Sequence, residues 1–319
     1  MKTRRLGKTD LELTTVGLGT WAIGGPWDWG WGPQDDETSI RTIHRALDLG
    51  INWLDTAPCY GLGHSEEVVG RAVALRRDEV YIATKCGLVW DDPSTLKVYG
   101  RLTRESVLQE AEDSLRRLAV DVIDLYQIHW PNPEEDIEAA WEAMAMLKEQ
   151  GKVRHIGVSN FSVAQMRRLQ SIHPIASLQP PYSMLERGFE GELNTFCREQ
   201  GIGVVPYSPM QAGLLTGAFS QERLAGLPDD DWRRKNRHFQ EPRFSRNLDL
   251  VGGLRPIADR LGCTLAQLAV AWTLRDDVVT AAIVGARTSD QIERTAPAAE
   301  VVLDATAVSE IEMLLSELD

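Results

Sequence analysis

Apolar residues follow two alternating rhythms along this chain. Short unbroken runs fall at Thr15–Leu18, Trp53–Leu54, Val80–Ala83, Val122–Ile128, Val153–Val158, Ile175–Leu178, Gly203–Pro206 and Val278–Val284, and each reads as a strand buried on both faces. Between most of them the spacing lengthens to a helical period, over Asp36–Leu49, Ser65–Ala74, Thr103–Leu118, Asp136–Gln150, Ser162–Leu169, Glu190–Glu199 and Ser289–Thr295. In Thr103–Leu118, for instance, Val107, Ala111, Leu115 and Leu118 share one face. Ser65-Glu66-Glu67-Val68 predicts a side-chain-capped helix start, and Gly151 predicts a helix stop. A hairpin is expected ahead of this series, with Arg4–Leu6 and Leu11–Leu13 joined by a turn over Gly7–Asp10, and a last helix behind it, over Val301–Leu318. Eight strand-then-helix units predict an α/β fold, a (β/α)8 TIM barrel with an N-terminal hairpin and an extra C-terminal helix, as one domain over residues 1–319. A doubly wound sheet fits the rhythm too, but the first strand runs into Gly17-Leu18-Gly19-Thr20-Trp21 rather than G-x-G-x-x-G. One long loop, Ala212–Asn247, is expected to be functional or disordered.

Polar residues at the C-terminal ends of barrel strands are where this fold keeps its chemistry. Three predicted strands end in such residues: Trp53-Leu54 leads to Asp55 and, in the next loop, Tyr60; Val80–Thr84 leads to Lys85; Ile123–Ile128 leads to His129. A carboxylate, a phenol, an amine and an imidazole on one rim make a proton-transfer site. A free phenol has a pKa near ~10, and an ammonium beside it favours the phenolate. Lys85 is therefore expected to lower the Tyr60 pKa, with Asp55 holding Lys85 and His129 donating to the same substrate oxygen. Any one of these residues alone would read as packing; the four at matched strand ends read as a site. Cys59 and Cys86 flank them as small packing residues.

The later strands end in groups suited to a flat, amide-bearing, phosphorylated cofactor. Ser159, Asn160 and Gln179 can pair with both ends of a carboxamide. Tyr207-Ser208-Pro209 offers an aromatic face and a hydroxyl, and Gly285-Ala286-Arg287-Thr288-Ser289 enters a helix, with Arg287 a bidentate partner for phosphate. Six tryptophans, Trp21, Trp27, Trp29, Trp31, Trp90 and Trp130, fall in loops expected on the same face. Trp21, Trp90 and Trp130 are the expected substrate-pocket residues, and aromatic faces with N–H donors suit polyols and sugars as well as aromatic aldehydes.

Composition narrows the partners. The 319 residues are 43% hydrophobic and 25% charged, with net charge −13, a balance that suits a large core and shows no basic stripe for nucleic acid. Arg233-Arg234-Lys235 sits beside Asp229-Asp230-Asp231 and reads as a solvated loop. The four cysteines form no C-x-x-C pair, and no His-x-His or His-Glu-x-x-His occurs, so neither a disulfide framework nor a metal site is expected. A metal-dependent TIM-barrel hydrolase is set aside on that ground. No apolar h-region follows the basic N-terminus and no segment is long enough to span a membrane. The expectation is a cytoplasmic monomer or weak homo-oligomer acting on a small molecule.

Taken together, these motifs resemble the aldo-keto reductases, over Gly17 to Thr295. The resemblance implies hydride transfer between NADP(H) and a carbonyl or alcohol, with Asp55, Tyr60, Lys85 and His129 catalytic and Tyr60 the acid or base. It implies a carboxamide site at Ser159, Asn160 and Gln179, stacking on Tyr207, and further cofactor contacts from Gly19, Thr20, Trp21, Asp55, Ser208, Pro209, Met210, Gly213 and Leu214. Gly285, Arg287, Thr288, Gln291 and Thr295 fall in the adenosine-phosphate region. Trp29–Asp36 and Gly61–Glu66 resemble a bacterial branch acting on small aldehydes, sugars or polyols. The spacing after Tyr60 is longer than the common Tyr-Gly-x-Ser-Glu; Gln291 stands where many members carry Arg, and Arg294-Thr295 replaces a common Glu-Asn pair. Arg287 and Thr288 favour NADPH, with NAD(H) as the alternative. The competing implication is a regulatory NADPH-binding module of the channel β-subunit type, with slow turnover.

Overall fold

A computed structural model describes residues 1–229 and 231–318; Asp230, in the acidic run, lies outside the described residues. β1 (Thr3–Arg5) and β2 (Glu12–Thr14) form the antiparallel hairpin, Thr3 opposite Thr14. The strands that follow are β3 (Val16–Gly19), β4 (Trp53–Asp55) and β5 (Tyr81–Cys86); a small antiparallel ribbon of β6 (Leu88–Val89) and β7 (Tyr99–Gly100); then β8 (Ile123–Ile128), β9 (Val153–Ser159), β10 (Ser177–Gln179), β11 (Gly203–Val204) and β12 (Ala282–Gly285). Apart from the hairpin and the ribbon, the strands make one parallel sheet in the order β11-β10-β9-β8-β5-β4-β3-β12. Its ends meet where Val204 bridges Val279 and the Thr280 amide donates to the Val204 carbonyl at 2.8 Å. The sheet thus closes into a barrel with helices outside, as the alternating pattern predicts.

The barrel is filled from below. Leu6, Leu11 and Leu13 of the hairpin are buried and pack with Trp53, Leu125, Val205 and Ile283. The hairpin therefore plugs the N-terminal mouth and leaves the C-terminal rim open for side chains. Outside, helices such as Arg104–Leu118 and Ile137–Glu149 bury their apolar faces against the sheet.

Several expectations are corrected. The helix His64–Val73 has no side-chain cap; the Ser65 hydroxyl instead bonds Thr20 at 2.8 Å and Thr56 at 3.0 Å, tying the helix to the strand ends. The last helix is Ala305–Ser316, capped by Asp304, because Val301–Leu303 offers no side-chain acceptor for the free amides of a first turn. Ala212–Asn247 is not a bare loop. It holds short helical turns at Leu214–Thr216, Gln221–Ala225, Trp232–Lys235 and Arg237–Phe239, pinned by a small core of Leu214, Phe219, Phe239 and Phe244. Its end belongs to the helix Arg243–Arg260, which with Leu265–Thr273 fills the gap between β11 and β12.

Candidate active site

Lys85 is the centre of the rim. Its side chain is fully buried, and Nζ donates to Asp55 Oδ1 at 2.6 Å, to the Thr56 carbonyl at 2.9 Å and, over a longer 3.4 Å, to the Tyr60 hydroxyl. An ammonium has three N–H groups, and each has an acceptor here. A buried cation survives only when paired and hydrogen-bonded in this way. The loop carrying Tyr60 is held by close backbone contact: Gly61 sits at φ +64, and a Cβ there would lie 1.8 Å from the Gly24 carbonyl oxygen. His129 follows β8, its amide donating to the Cys86 carbonyl at 2.9 Å, and its ring meets the Tyr60 ring edge-on at 5.9 Å.

The electrostatics differ from the expectation. The Tyr60 phenol is pushed well above its usual range, by burial first and then by the Asp55 charge. Asp55 offsets the positive charge of Lys85, so desolvation wins and the phenol stays protonated. His129 is pushed well below 6.5, by burial and then by Lys85, and is a neutral imidazole at neutral pH.

A second polar cluster joins this one. Gln179 Nε2 donates to Asp55 Oδ2 at 2.8 Å, so both carboxylate oxygens of Asp55 are engaged. Ser159 Oγ donates to the Gln179 carbonyl at 2.8 Å; Asn160 Nδ2 donates to Ser159 Oγ and to the His129 carbonyl, both at 3.0 Å; Tyr207 OH donates to Asn160 Oδ1 at 2.9 Å. All of these groups except the buried Lys85 open on one cavity of about 460 Å³, which also exposes Gly19, Trp21, Trp130, Ser208, Pro209, Met210, Gly213 and Gly285. That volume suits a small molecule rather than a macromolecule.

The remaining expected residues lie around or outside the cavity. Thr20 is buried beneath it, bonded to Ser65 and the Asp55 carbonyl, and Leu214 is in the phenylalanine core. Arg287 reaches across to the loop before the first barrel helix, with Nε on Gln34 Oε1 at 2.8 Å and Nη2 on the Pro33 carbonyl at 2.6 Å. Gln291 Oε1 accepts from the Arg287 amide at 2.7 Å, Thr288 caps the helix Ser289–Thr295, and Thr295 is buried against that helix. Trp90 does not line the cavity; pairing of β6 with β7 commits its segment to the ribbon, and Leu88 lines the wall instead.

Trp232 is another wall residue not expected from the sequence, hidden in a charged run. Trp21 packs edge-on against both Trp31 (5.1 Å) and Trp232 (5.6 Å), and the Arg233 guanidinium lies 4.9 Å over Trp31. The segments around residues 31 and 232 thus meet over the cavity, and the basic run is partly buried rather than solvated: Arg233 pairs with Asp231, their side chains 13% and 8% exposed. Among the described residues no group of three or more His, Cys, Asp or Glu could hold a metal ion, and no helix is long and apolar enough to cross a membrane.

A parallel barrel with a buried Lys–Asp pair, a phenol and an imidazole under a tryptophan-walled cavity defines a class that the sequence itself confirms: residues 15–316 match the aldo/keto reductase family, and the chain belongs to it. It is 41% identical to aldo-keto reductase YhdN of Bacillus subtilis, over 92% of this chain and 87% of that protein. It is 36% identical to the NADH-specific methylglyoxal reductase of Escherichia coli, over 98% of each. The structure of the glycerol dehydrogenase AKR11B4 from Gluconobacter oxydans superposes with a TM-score of 0.91 at 38% identity, covering 99% of this chain and 95% of that one. The chain is thus an oxidoreductase of this family, with bacterial relatives acting on small aldehydes and polyols.

Proposed function

We propose that the protein is an NADP(H)-dependent reductase of small aldehydes or ketones, or a dehydrogenase of the corresponding alcohols and polyols, with Tyr60 as its acid or base. The observation that carries this reading is the continuous network from Lys85 through Asp55 to Gln179, Ser159 and Asn160, which joins the phenol to a cluster of amide and hydroxyl groups on one cavity wall.

The residues fit a nicotinamide. Ser159, Asn160 and Gln179 present amide and hydroxyl groups to the cavity, Tyr207 adds an aromatic ring, and Gly19 and Gly285 leave the wall without side chains. When bound, the coenzyme supplies or accepts the hydride at the carbonyl carbon. Tyr60, held protonated, donates its proton to the oxygen that gains charge. Neutral His129 donates a hydrogen bond to that oxygen and orients it. Lys85 bonds the phenol oxygen left behind, and Asp55 keeps Lys85 in place. General acid catalysis of this kind contributes ~100- to 10,000-fold.

For the coenzyme phosphate we propose Arg287. Its guanidinium bonds neutral oxygens of Trp31, Pro33 and Gln34; among the described residues no carboxylate pairs with it, and an anion would be stabilised there. NADH is the alternative coenzyme, a choice supported by the name of the methylglyoxal-reducing relative.

The test is consumption of NADPH and NADH with glyceraldehyde and with an aromatic aldehyde, beside Tyr60→Phe. Turnover lost in the variant while coenzyme binding survives is the expected result. Tight NADPH binding without turnover by the unaltered protein would overturn it in favour of a regulatory nucleotide-binding module.

A further inference from the structure

We propose that Cys59 is a positioning residue: its thiol donates to Nδ1 of His129 and so keeps the single imidazole proton on Nε2, the nitrogen left for the cavity that His129 lines. The inference rests on the reading of His129 as a donor to the substrate oxygen. Cys59 Sγ lies 3.6 Å from His129 Nδ1, and Cys59 itself is fully buried. No other side chain or carbonyl among the described residues bonds either ring nitrogen.

A neutral imidazole carries one N–H, and the partner of one nitrogen decides which tautomer is present. Burial raises the thiol pKa, with Lys85 acting the other way and Glu66 and Glu110 reinforcing the rise, so Cys59 keeps its proton. An imidazole nitrogen is a far better acceptor than a thiol sulfur, which makes S–H to Nδ1 the favoured direction. The opposite tautomer would point a lone pair at the substrate oxygen and repel it.

The rest of the His129 environment fixes its place but not its tautomer. The amide bonds Cys86, the carbonyl accepts from Asn160, and Tyr60 meets the ring edge-on. Lys85 and Asp55 lie beyond the phenol and bond each other. Cys59 also packs with Trp27, Ala57, Tyr60 and Leu88, so a purely apolar role is the competing account, and the test must separate the two.

Cys59→Val preserves the apolar packing and removes the donor; Cys59→Ala does so with a smaller side chain. Two-bond proton–nitrogen correlation spectra of the histidines, assigned through His129→Gln, read the tautomer directly in the coenzyme-free protein. With six histidines in the chain the assignment is tractable. The expected result is an Nε2–H pattern for the unaltered protein and averaged nitrogen shifts in both variants. With these should come a fall of about tenfold in kcat, the weight of one hydrogen bond, and an unchanged coenzyme Kd by tryptophan quenching. An Nε2–H pattern persisting unchanged in both variants would overturn the proposal. A tautomer that shifts while kcat holds would support Cys59 as the positioning group and refute the donor role of His129.

Discussion

Glu110 offers a test of how the site's floor is held. Glu110 is 9% exposed; its Oε2 accepts from the Gly87 amide at 2.8 Å and its Oε1 from the Ser106 hydroxyl at 2.9 Å. Gly87 follows Cys86, whose carbonyl accepts the His129 amide. Burial raises the Glu110 pKa from 4.5 to about 7, against the opposing pull of these hydrogen bonds and of Arg117 and Arg101. A pKa higher in the folded state means the native protein holds the proton more tightly. The stabilisation is therefore complete below pH 4.5 and lost as pH rises through about 7. At ~1.4 kcal/mol per unit, that rise is worth about 3 kcal/mol in full, and about 2.5 kcal/mol between roughly pH 5 and pH 8.5. Glu110→Gln keeps an acceptor for Gly87 and a partner for Ser106 but cannot ionise. The assay is urea unfolding of both proteins at these two pH values. The unaltered protein should lose about 2.5 kcal/mol relative to Glu110→Gln on going to the higher pH. A stability difference between the two that does not change with pH would refute the reasoning.

Three further outcomes are expected. Asp55→Asn leaves the Lys85 charge buried without its carboxylate, so urea unfolding should show a loss of ~3–5 kcal/mol, and turnover should fall with it. In Gly61→Ala the added methyl would meet the Gly24 carbonyl at 1.8 Å in a backbone already at φ +64; the loop bearing Tyr60 must shift, and kcat should drop at least ~100-fold, as from a displaced proton donor. An unchanged kcat would show that the loop adapts. Arg287→Ala should lower the ratio of NADPH to NADH affinity in titrations followed by tryptophan fluorescence; an unchanged ratio would remove Arg287 from coenzyme selection.

The barrel and its rim were legible because both depend on short-range pattern. Continuous apolar runs mark strands buried on both faces, and the residue ending each run is on the rim by construction, which is how Asp55, Lys85 and His129 could be placed together. The seventh strand was legible, but the helices that follow it were not. The helix Arg243–Arg260 contains Gly252, Gly253 and Pro256, which locally read as breakers and are tolerated through burial of Leu250, Val251, Leu254 and Ile257. Leu265–Thr273 is apolar nearly all round, so it has no periodicity to find, although Thr264 and Gln267 form a complete capping box ahead of it. Trp232 was missed for the opposite reason: flanking charges suggested water, while Asp231 and Arg233 neutralise each other and let the indole turn inward.

The sign of the Tyr60 shift follows from the same limit. Sequence places an ammonium beside a phenol but says nothing of how the charge is shared. Here the shortest contact of Lys85 is to Asp55 at 2.6 Å, and the phenol is its most distant acceptor at 3.4 Å. A cation so compensated does little to favour the phenolate, while burial strongly favours the neutral phenol. On the proposed reading of Tyr60 as the acid, the resting site is thus poised as a proton donor. Negative charge on the phenol oxygen becomes tolerable only as the proton departs and the Lys85 contact to it can shorten. On this account Lys85 acts after proton transfer begins, by stabilising what Tyr60 becomes. Its removal should therefore depress kcat rather than weaken substrate binding, as expected of an interaction made mainly in the transition state.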